Sequence, residues 1–510
     1  MHPKHWIRIN PNSAWHVRRL KLSLTLDVLL APLGILTDPI QVREMQLDSR
    51  AVKPGDLFIA LKGHAVDGRD FIPAAVAQGA AAVLYQPDDS GTLPDCSIPC
   101  IPVPHLARHL SALAGAFYGE PATQLQLIGV TGTNGKSTTT QLIANWRSLL
   151  GGTAGVMGTI GNGLFGQLTP CENTTASALA IQQELARQLA QGADLVAMEV
   201  SSHGLVQDRV TALPFAVAAF TNLSRDHLDY HGTMEAYAAA KRTLFDRMPA
   251  RDCVLNSDDV VAQAWLREMP EAVTYSLEPG VAPRGGRFVE VTGLTFHDRG
   301  FSAEIDSSWG TGELRVPLLG RFNVANTLAA LACLLVLGYD LKALLAAAPQ
   351  LQPVTGRMEC FGGGSLPLVV VDFAHTPDGL EKALEAARLH CRGRLFCLVG
   401  CGGDRDRGKR PMMAAIAERL ADQTILTDDN PRTEEPAQII RDMQAGLQDP
   451  HAVTVEHQRP AAIRLALQQA TAGDLILVAG KGHEDYQIIG KQKLMYSDRE
   501  TVAQLVKELA

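Results

Sequence analysis

The chain has 510 residues and a formal net charge of −8; 46% of its residues are hydrophobic and 20% charged. That length exceeds one ordinary core and suggests about three domains, while the acidic balance argues against a nucleic-acid partner, which would favour a basic face. No stretch reaches the ~20 apolar residues of a membrane span, and nine cysteines without paired spacing suit a reducing cytoplasm.

Residues 1–20 carry basic groups ahead of an apolar patch, but Asp27 interrupts that patch and no small-residue cleavage site follows. The segment therefore reads as a short extension leading into a first helix. A first region, residues 1–105, contains the strand-like runs "GDLFIAL" and "AAVLY" with the helical "FIPAAVAQGA" between them. The proline-rich "SIPCIPVPHL" marks its end. A second region, 106–353, opens with the buried strand "LQLIGV", a glycine loop and the helical "STTTQLIANWRSLL". The apolar runs "DLVAMEV" and "FAVAAFTNL" then suggest a largely parallel sheet. From Arg287 to Pro317 the pattern alternates, as antiparallel strands do, before "GRFNVANTLAALACLLVLG" returns to helix with Asn323 at a plausible N-cap. The third region, 354–510, repeats apolar strand, polar turn and helix, with charged and glycine residues where each strand ends. In open α/β sheets that edge binds ligands. The whole reads as an α/β protein.

The loop Thr-Gly-Thr-Asn-Gly-Lys-Ser, Thr131 to Ser137, departs from the common phosphate-binding pattern by having Val130 where the first glycine belongs. Physically it still has what such a loop needs. Glycines let backbone N–H groups turn inward, and the following helix N-terminus favours an anion. Lys136 would neutralise the β- and γ-phosphates of a nucleotide and Ser137 would ligate magnesium. Glu199, closing "LVAMEV", is placed to be a magnesium partner. His227 and His231 would share a helix face; they read as residues near the metal or as plain helix-start histidines, and a zinc pair would lack a third ligand. Cys397 and Cys401 likewise lack a second pair. Lys241, among alanines in "MEAYAAAKRTLF", reads as a solvent-facing helix lysine. The third region has Arg405, Arg407, Lys409, Arg410, Arg432 and Lys481 at its strand ends, and Arg407 and Lys409 read best as surface charges. In "DNPR", Asp429 and Asn430 can face an ammonium, Pro431 fixes the turn and Arg432 can face a carboxylate, which together would recognise the two charged ends of an amino acid.

The motifs "TGTNGKS", "ENTTAS", "MEVSSHGL", "TNLSRDHLDYHG", "AKRTLF", "GRFNVANTLAA", "GRME", "DFAHTP", "GCGGDRDRGKRP", "DNPR" and "AGKGHEDYQ", in this order from about Leu24 onward, resemble the Mur ligases of peptidoglycan synthesis, most of all their meso-diaminopimelate-adding branch. The resemblance makes "TGTNGK" the family's own phosphate loop. It implies a monomeric cytoplasmic enzyme with three domains: a small UDP-binding domain, a central ATPase domain and a Rossmann-like domain that brings the amino acid. It also implies ATP and Mg2+, and the substrates UDP-N-acetylmuramoyl-L-alanyl-D-glutamate and meso-diaminopimelate, joined through an acyl phosphate.

By motif, Leu47, Ser49, His64, Ala65, Val66, Asn173, Thr174, Thr175, Ser201, Gln207 and Arg209 would hold the UDP-muramoyl-dipeptide. Gly132, Thr133, Asn134, Gly135, Lys136, Ser137 and Thr138 would hold the ATP phosphates, with Asn323, Arg357, Asp372 and His375 on the nucleotide side. Ser137, Glu199, His227 and Lys241 would surround magnesium. Lys241 would act as a carbamate, the reverse of its reading from composition. Arg405, Asp429, Asn430, Pro431, Arg432, Gly480 and Glu484 would take diaminopimelate. Ala65 and Val66 stand where a more polar residue is expected, and Phe373 where tyrosine is frequent. Competing readings are a lysine-adding counterpart, a folylpolyglutamate synthetase and a phosphate-loop switch; "DNPR" and the "LDSR…GHAVDGR" domain argue against the first two. A switch would need no third domain of charged strand ends.

Overall fold

The computed structural model describes residues 24–63, 66–87, 96–248, 250–280 and 286–509. The chain divides into two compact units, the first comprising residues to Gln124 with Ser177–Gly192 and Gln207–Leu213. The extension expected over residues 1–20, and His64 and Ala65, lie outside the described residues.

The first unit is built on a parallel sheet of four strands in chain order, Met45–Gln46, Leu57–Ala60, Ala82–Tyr85 and Cys100–Pro102. All residues of the two central strands are buried, which is why they read as unbroken apolar runs: helices cover both faces. Ile72 and Ala75 of the helix Ile72–Ala77 pack with Phe58, Val83 and Tyr85 on one face. Leu26, Leu29 and Leu30, the helix Leu106–Phe117 and Leu179 of the helix Ala178–Ala190 pack on the other. The helix that follows the proline-rich stretch therefore belongs to this first core. Cys96 and Cys100 form a disulfide, contrary to the expectation of unpaired cysteines; a bridge between positions this near in sequence leaves no spacing signature.

Among the described residues the second unit contains two large sheets and a two-stranded antiparallel hairpin, Tyr486–Ile489 with Gln492–Met495. The larger has eleven strands, with Gln126–Thr131 between Val217–Phe220 and Leu195–Glu199, all parallel. Its margins are antiparallel. On one side lie Phe288–His297, Gly300–Ser307 and Gly310–Val316, as the alternation in sequence suggested. On the other lie Gly161–Leu164, with two glycines in four residues, and Gln167–Thr169, too short to show a period. The helices Lys136–Leu149 and Arg321–Val336 share the core of this sheet. The second helix begins one turn earlier than expected: Gly320 is its N-cap at φ 87°, and Asn323 lies inside it, donating to the Leu319 carbonyl at 2.8 Å.

The smaller sheet has six strands, in the order Glu359–Gly362, Leu368–Asp372, Leu475–Ala479, Leu395–Val399, Gln423–Leu426 and Thr454–Val455. All but the first are parallel, and apolar clusters cover both faces. The parallel strands therefore end on one edge. This brings Phe373 to His375, Gly480 and Lys481, Gly400 to Arg405, and Asp428 to Arg432 into neighbouring loops there.

Candidate active site

Val130 is fully buried near the end of the strand Gln126–Thr131, so the absent glycine is a core position of the sheet. The loop proper begins at Gly132, φ 150°, and ends at Gly135, φ 87°. Both must be glycine: a Cβ would lie 1.8 Å from Thr221 Oγ1 at the first and 2.3 Å from Asn326 Oδ1 at the second. The segment from Thr221 to Ser224 staples the loop. The Thr133 N–H donates to the Asn222 carbonyl at 2.8 Å, the Asn134 N–H to Asn222 Oδ1 at 3.0 Å, and Thr221 Oγ1 to the Asn134 carbonyl at 2.6 Å. Lys136 opens the helix and its Nζ folds back onto the carbonyls of Gly132 and Thr133, at 3.0 and 2.8 Å. Burial pushes its pKa below the ordinary lysine value, with Glu199 and Asp226 opposing.

The loop forms one wall of a cavity of about 450 Å³ lined by Thr133 to Thr138, Glu199, Asn326, Arg357, Asp372 and Lys382. Glu199 is buried at its strand end, its Oε1 accepting the Thr159 N–H at 2.8 Å. The Ser137 hydroxyl and the Glu199 carboxylate are hard oxygen donors beside a phosphate loop, as Mg2+ shared with phosphate oxygens requires. Among the described residues no cluster of three or more His, Cys, Asp or Glu is arranged to hold a metal ion unaided. Arg357, also in the lining, stacks on Phe373 at 4.7 Å, and its Nε is buried with no hydrogen-bond partner among the described residues. Asp372 accepts from the N–H groups of Met358 and Ala374 at 2.8 and 2.9 Å, and burial raises its pKa despite Arg357 nearby.

Several expected residues lie elsewhere. Asn323 is buried and accepts from Asn326 Nδ2 at 3.2 Å, whereas Asn326, one turn on, lines the cavity. The repeated asparagine in "NVAN", three residues apart on a helix, was the signal for it. His375 is exposed and outside the lining, its Nδ1 donating to the Phe373 carbonyl. His227 is also outside it. It is the N-cap of a one-turn helix, at φ 52°, with its ring edge-to-face against His203 at 4.9 Å. His231 donates to or accepts from Ser202 Oγ at 2.9 Å, so the two rings flank His203 rather than forming a metal pair.

Lys241 is 1% exposed, which overturns its reading as a solvent-facing lysine. Tyr237, Ala240, Lys241 and Leu244 form the buried face of the helix Met234–Asp246, a periodicity that the surrounding alanines masked. Its Nζ donates to the Gly132 carbonyl at 2.7 Å and sits 4.5 Å from the Tyr237 ring centre. Burial, and then Lys136, hold its pKa well below the usual lysine value.

Thr174 lines the cavity, its hydroxyl 3.0 Å from that of Thr159, while Asn173 is exposed. Thr175 is buried and binds the Glu199 carbonyl and the Ser201 N–H, both at 2.9 Å, which fixes the strand end. In the first unit, Leu47 packs on the core, Ser49 is buried in a capped turn, Val66 is 57% exposed, and Gln207 accepts from Arg209 at 3.1 Å.

At the edge of the smaller sheet, Asp429, Asn430 and Glu484 gather around Lys481. Arg432, at φ 53°, donates to the Gly403 carbonyl at 2.8 Å; its Nη1 and the stem of Arg405 lie beside Gly402. Pro431 is buried and Gly480 adopts φ 118°. Lys409 binds the His375 carbonyl, and Arg407 pairs with Glu434 from an exposed position. Arg410 is fully buried and spent on Glu434 and Asp442, so it cannot meet a ligand.

Hydrogen bonds from Arg410 hold the Glu434 carboxyl at about 2, below its ordinary 4.5. Because the folded-state value is the lower one, the pair contributes fully above about pH 4.5 and its contribution is lost as pH falls toward about 2. Glu434→Gln is expected to melt below wild type at neutral pH, with the gap closing through that window. A gap independent of pH in acid melts would count against the pairing.

Comparison with known proteins gives the family. Three family models match: the Mur ligase family catalytic domain over residues 41–118, the Mur ligase middle domain over 130–334, and the Mur ligase glutamate ligase domain over 356–482. A solved UDP-N-acetylmuramoyl-L-alanyl-D-glutamate–2,6-diaminopimelate ligase is similar at 37% identity and TM-score 0.73, with 95% of this chain and 99% of that one covered. MurF ligase from Thermotoga maritima, solved with ADP, shares the fold at 18% identity and TM-score 0.59, covering 92% and 99% of the two chains. Mycobacterium tuberculosis folylpolyglutamate synthase, solved with ADP and AMPPCP, does so at 18% and 0.57, covering 78% and 94%. The chain belongs to the Mur ligase family. It is an ATP-dependent peptide ligase of peptidoglycan synthesis, and among its described residues no helix is long and apolar enough to cross a membrane.

Proposed function

We propose that this ligase joins meso-diaminopimelate to UDP-N-acetylmuramoyl-L-alanyl-D-glutamate. ATP phosphorylates the γ-carboxylate of the D-glutamate, the amine attacks the acyl phosphate, and phosphate leaves. Lys136 and the Gly132–Thr138 backbone hold the phosphates, and Arg357, in the same lining, meets negative charge. Mg2+, held by Ser137 and Glu199, would neutralise charge on the phosphates. Lys241 is buried with a depressed pKa, which favours the neutral amine, the form that adds carbon dioxide to become a carbamate. UDP-sugar and ATP as substrates suit the cytoplasm.

The observation that carries the amino-acid assignment is the loop edge where Asp429 and Glu484 oppose Arg432 and Arg405. Diaminopimelate differs from lysine by a far carboxylate, and a guanidinium fork suits that group. Arg432 is only half-buried and already binds Gly403, so leaving it unmatched costs near the lower end of the range for broken ion pairs, about 3 kcal/mol, or about two orders of magnitude in relative kcat/KM. The test is ATP turnover with both amino acids in wild type, Arg432→Ala and Arg432→Lys. Both variants are expected to lose most of the preference, because a point charge cannot reproduce the fork. A wild type that prefers lysine, or an Arg432→Ala ratio equal to wild type, would reject the assignment.

A further inference from the structure

We infer that Lys481 is a specificity-determining positioning residue, an internal ammonium that adjusts the Asp429–Glu484 pair to receive one further ammonium; this rests on the amino-acid reading above. Lys481 follows the strand Leu475–Ala479, and its side chain is fully buried. Its Nζ has three acceptors: Glu484 Oε2 at 3.0 Å, Asn430 Oδ1 at 3.1 Å and Asp429 Oδ1 at 3.4 Å. An ammonium has three N–H donors, so Lys481 is saturated and has none for a ligand.

The same bonds decide what is left over. Asn430 Oδ1 also accepts the Ile488 N–H at 2.9 Å, which turns Asn430 Nδ2 onto Glu484 Oε2 at 3.1 Å. The Asn430 amide is thus engaged internally and does not present its oxygen to a substrate, a correction to the reading of "DNPR" as Asp and Asn jointly facing an ammonium. What remains is Asp429 Oδ2, which accepts no hydrogen bond among the described residues, and Glu484 Oε1, which has only a long contact of 3.4 Å from the Tyr486 hydroxyl. Two carboxylates and one buried ammonium leave a single net negative charge, presented by one oxygen from each carboxylate. Beside Gly402, Arg432 and Arg405 supply the opposite sign. The pattern complements one ammonium and one carboxylate on the same carbon, the end of diaminopimelate that does not react.

This makes a prediction of unusual sign. Glu484→Gln leaves Asp429 neutralised by Lys481, and the KM for diaminopimelate is expected to rise about tenfold or more, as for a lost hydrogen bond to a charged group. Adding Lys481→Met to Glu484→Gln removes a buried cation yet restores the single negative charge, so the KM is expected to fall again, by about threefold or more, with the KM for ATP within about twofold throughout. A merely structural lysine would make the double variant worse. Asp429→Asn, with and without Lys481→Met, repeats the comparison with the other carboxylate should the first double variant fail to fold. A double-variant KM equal to or above that of its single parent in whichever pair folds overturns the inference. A wild type that does not use diaminopimelate at all would instead overturn the substrate assignment on which it rests.

Discussion

Lys136→Ala is expected to retain the fold and lose about two to three orders of magnitude in turnover, the range for removing a preorganised contact to charge that develops in a transition state. The loop keeps its shape without this side chain, because Thr221 and Asn222 hold Thr133 and Asn134 independently and Gly132 and Gly135 set the turns. The lysine also faces a desolvation cost that the fold does not need for its own sake: it is partly buried, and among the described residues its Nζ is bonded to two loop carbonyls. A residue kept under those terms is there for an anionic ligand. ADP release with all three substrates, alongside a thermal melt, separates the outcomes. Near-normal activity in a folded variant would remove Lys136 from phosphoryl transfer.

Lys241→Ala is expected to be inactive and partly recovered by a small carboxylate such as formate or acetate, whereas Lys241→Arg is expected to stay inactive. The amine lies against the phosphate loop through the Gly132 carbonyl, and burial together with the charge of Lys136 disfavours its protonated form. A neutral amine beside a cation adds carbon dioxide and loses a proton to give an anion that the cation stabilises, so the proposed role needs negative charge where the side-chain type suggests positive. A guanidinium cannot reverse its sign in that way. Mass spectrometry of gently handled protein provides a readout apart from activity, as a gain of carbon dioxide at this residue. Full activity of Lys241→Ala would return the residue to packing alone.

The architecture was legible because strands covered on both faces must be apolar throughout, and runs such as Leu57–Ala60, Leu395–Val399 and Leu475–Ala479 announce themselves. The ligand edge was legible for a related reason: glycine and charge cluster where parallel strands end. What could not be read was partnership. Arg410, Arg405 and Lys481 look alike in sequence, yet Arg410 is consumed by Glu434 and Asp442, Lys481 by three acceptors, and Arg405 is exposed. Which cation is internal depends largely on residues tens of positions away, Glu434 and Asp442 for Arg410 and Asp429 and Asn430 for Lys481. Asn323 and Asn326 differ only by one helical turn, and the turn was settled by Gly320, whose left-handed conformation starts the helix early. Lys241 was misread from composition because the alanines beside it, of which Ala236 and Ala239 are exposed, look like a solvated helix and hide the buried face formed with Tyr237, Ala240 and Leu244.

The order of strands in the smaller sheet has a consequence for how the chain is made. Leu475–Ala479 lies at the middle of that sheet, hydrogen-bonded on one side to Leu368–Asp372 and on the other to Leu395–Val399, which precede it by some eighty residues and more. A ribosome therefore releases the two flanking strands long before the piece that joins them exists, and each presents an open hydrogen-bonding edge and an apolar face during that interval. The sheet, and with it the convergence of Gly480 and Lys481 on Asp429, is completed in one late insertion. The yield of this C-terminal region is expected to depend on protection of nascent chains, and partial products cut short of residue 475 would carry every nucleotide-loop residue and still be prone to aggregate.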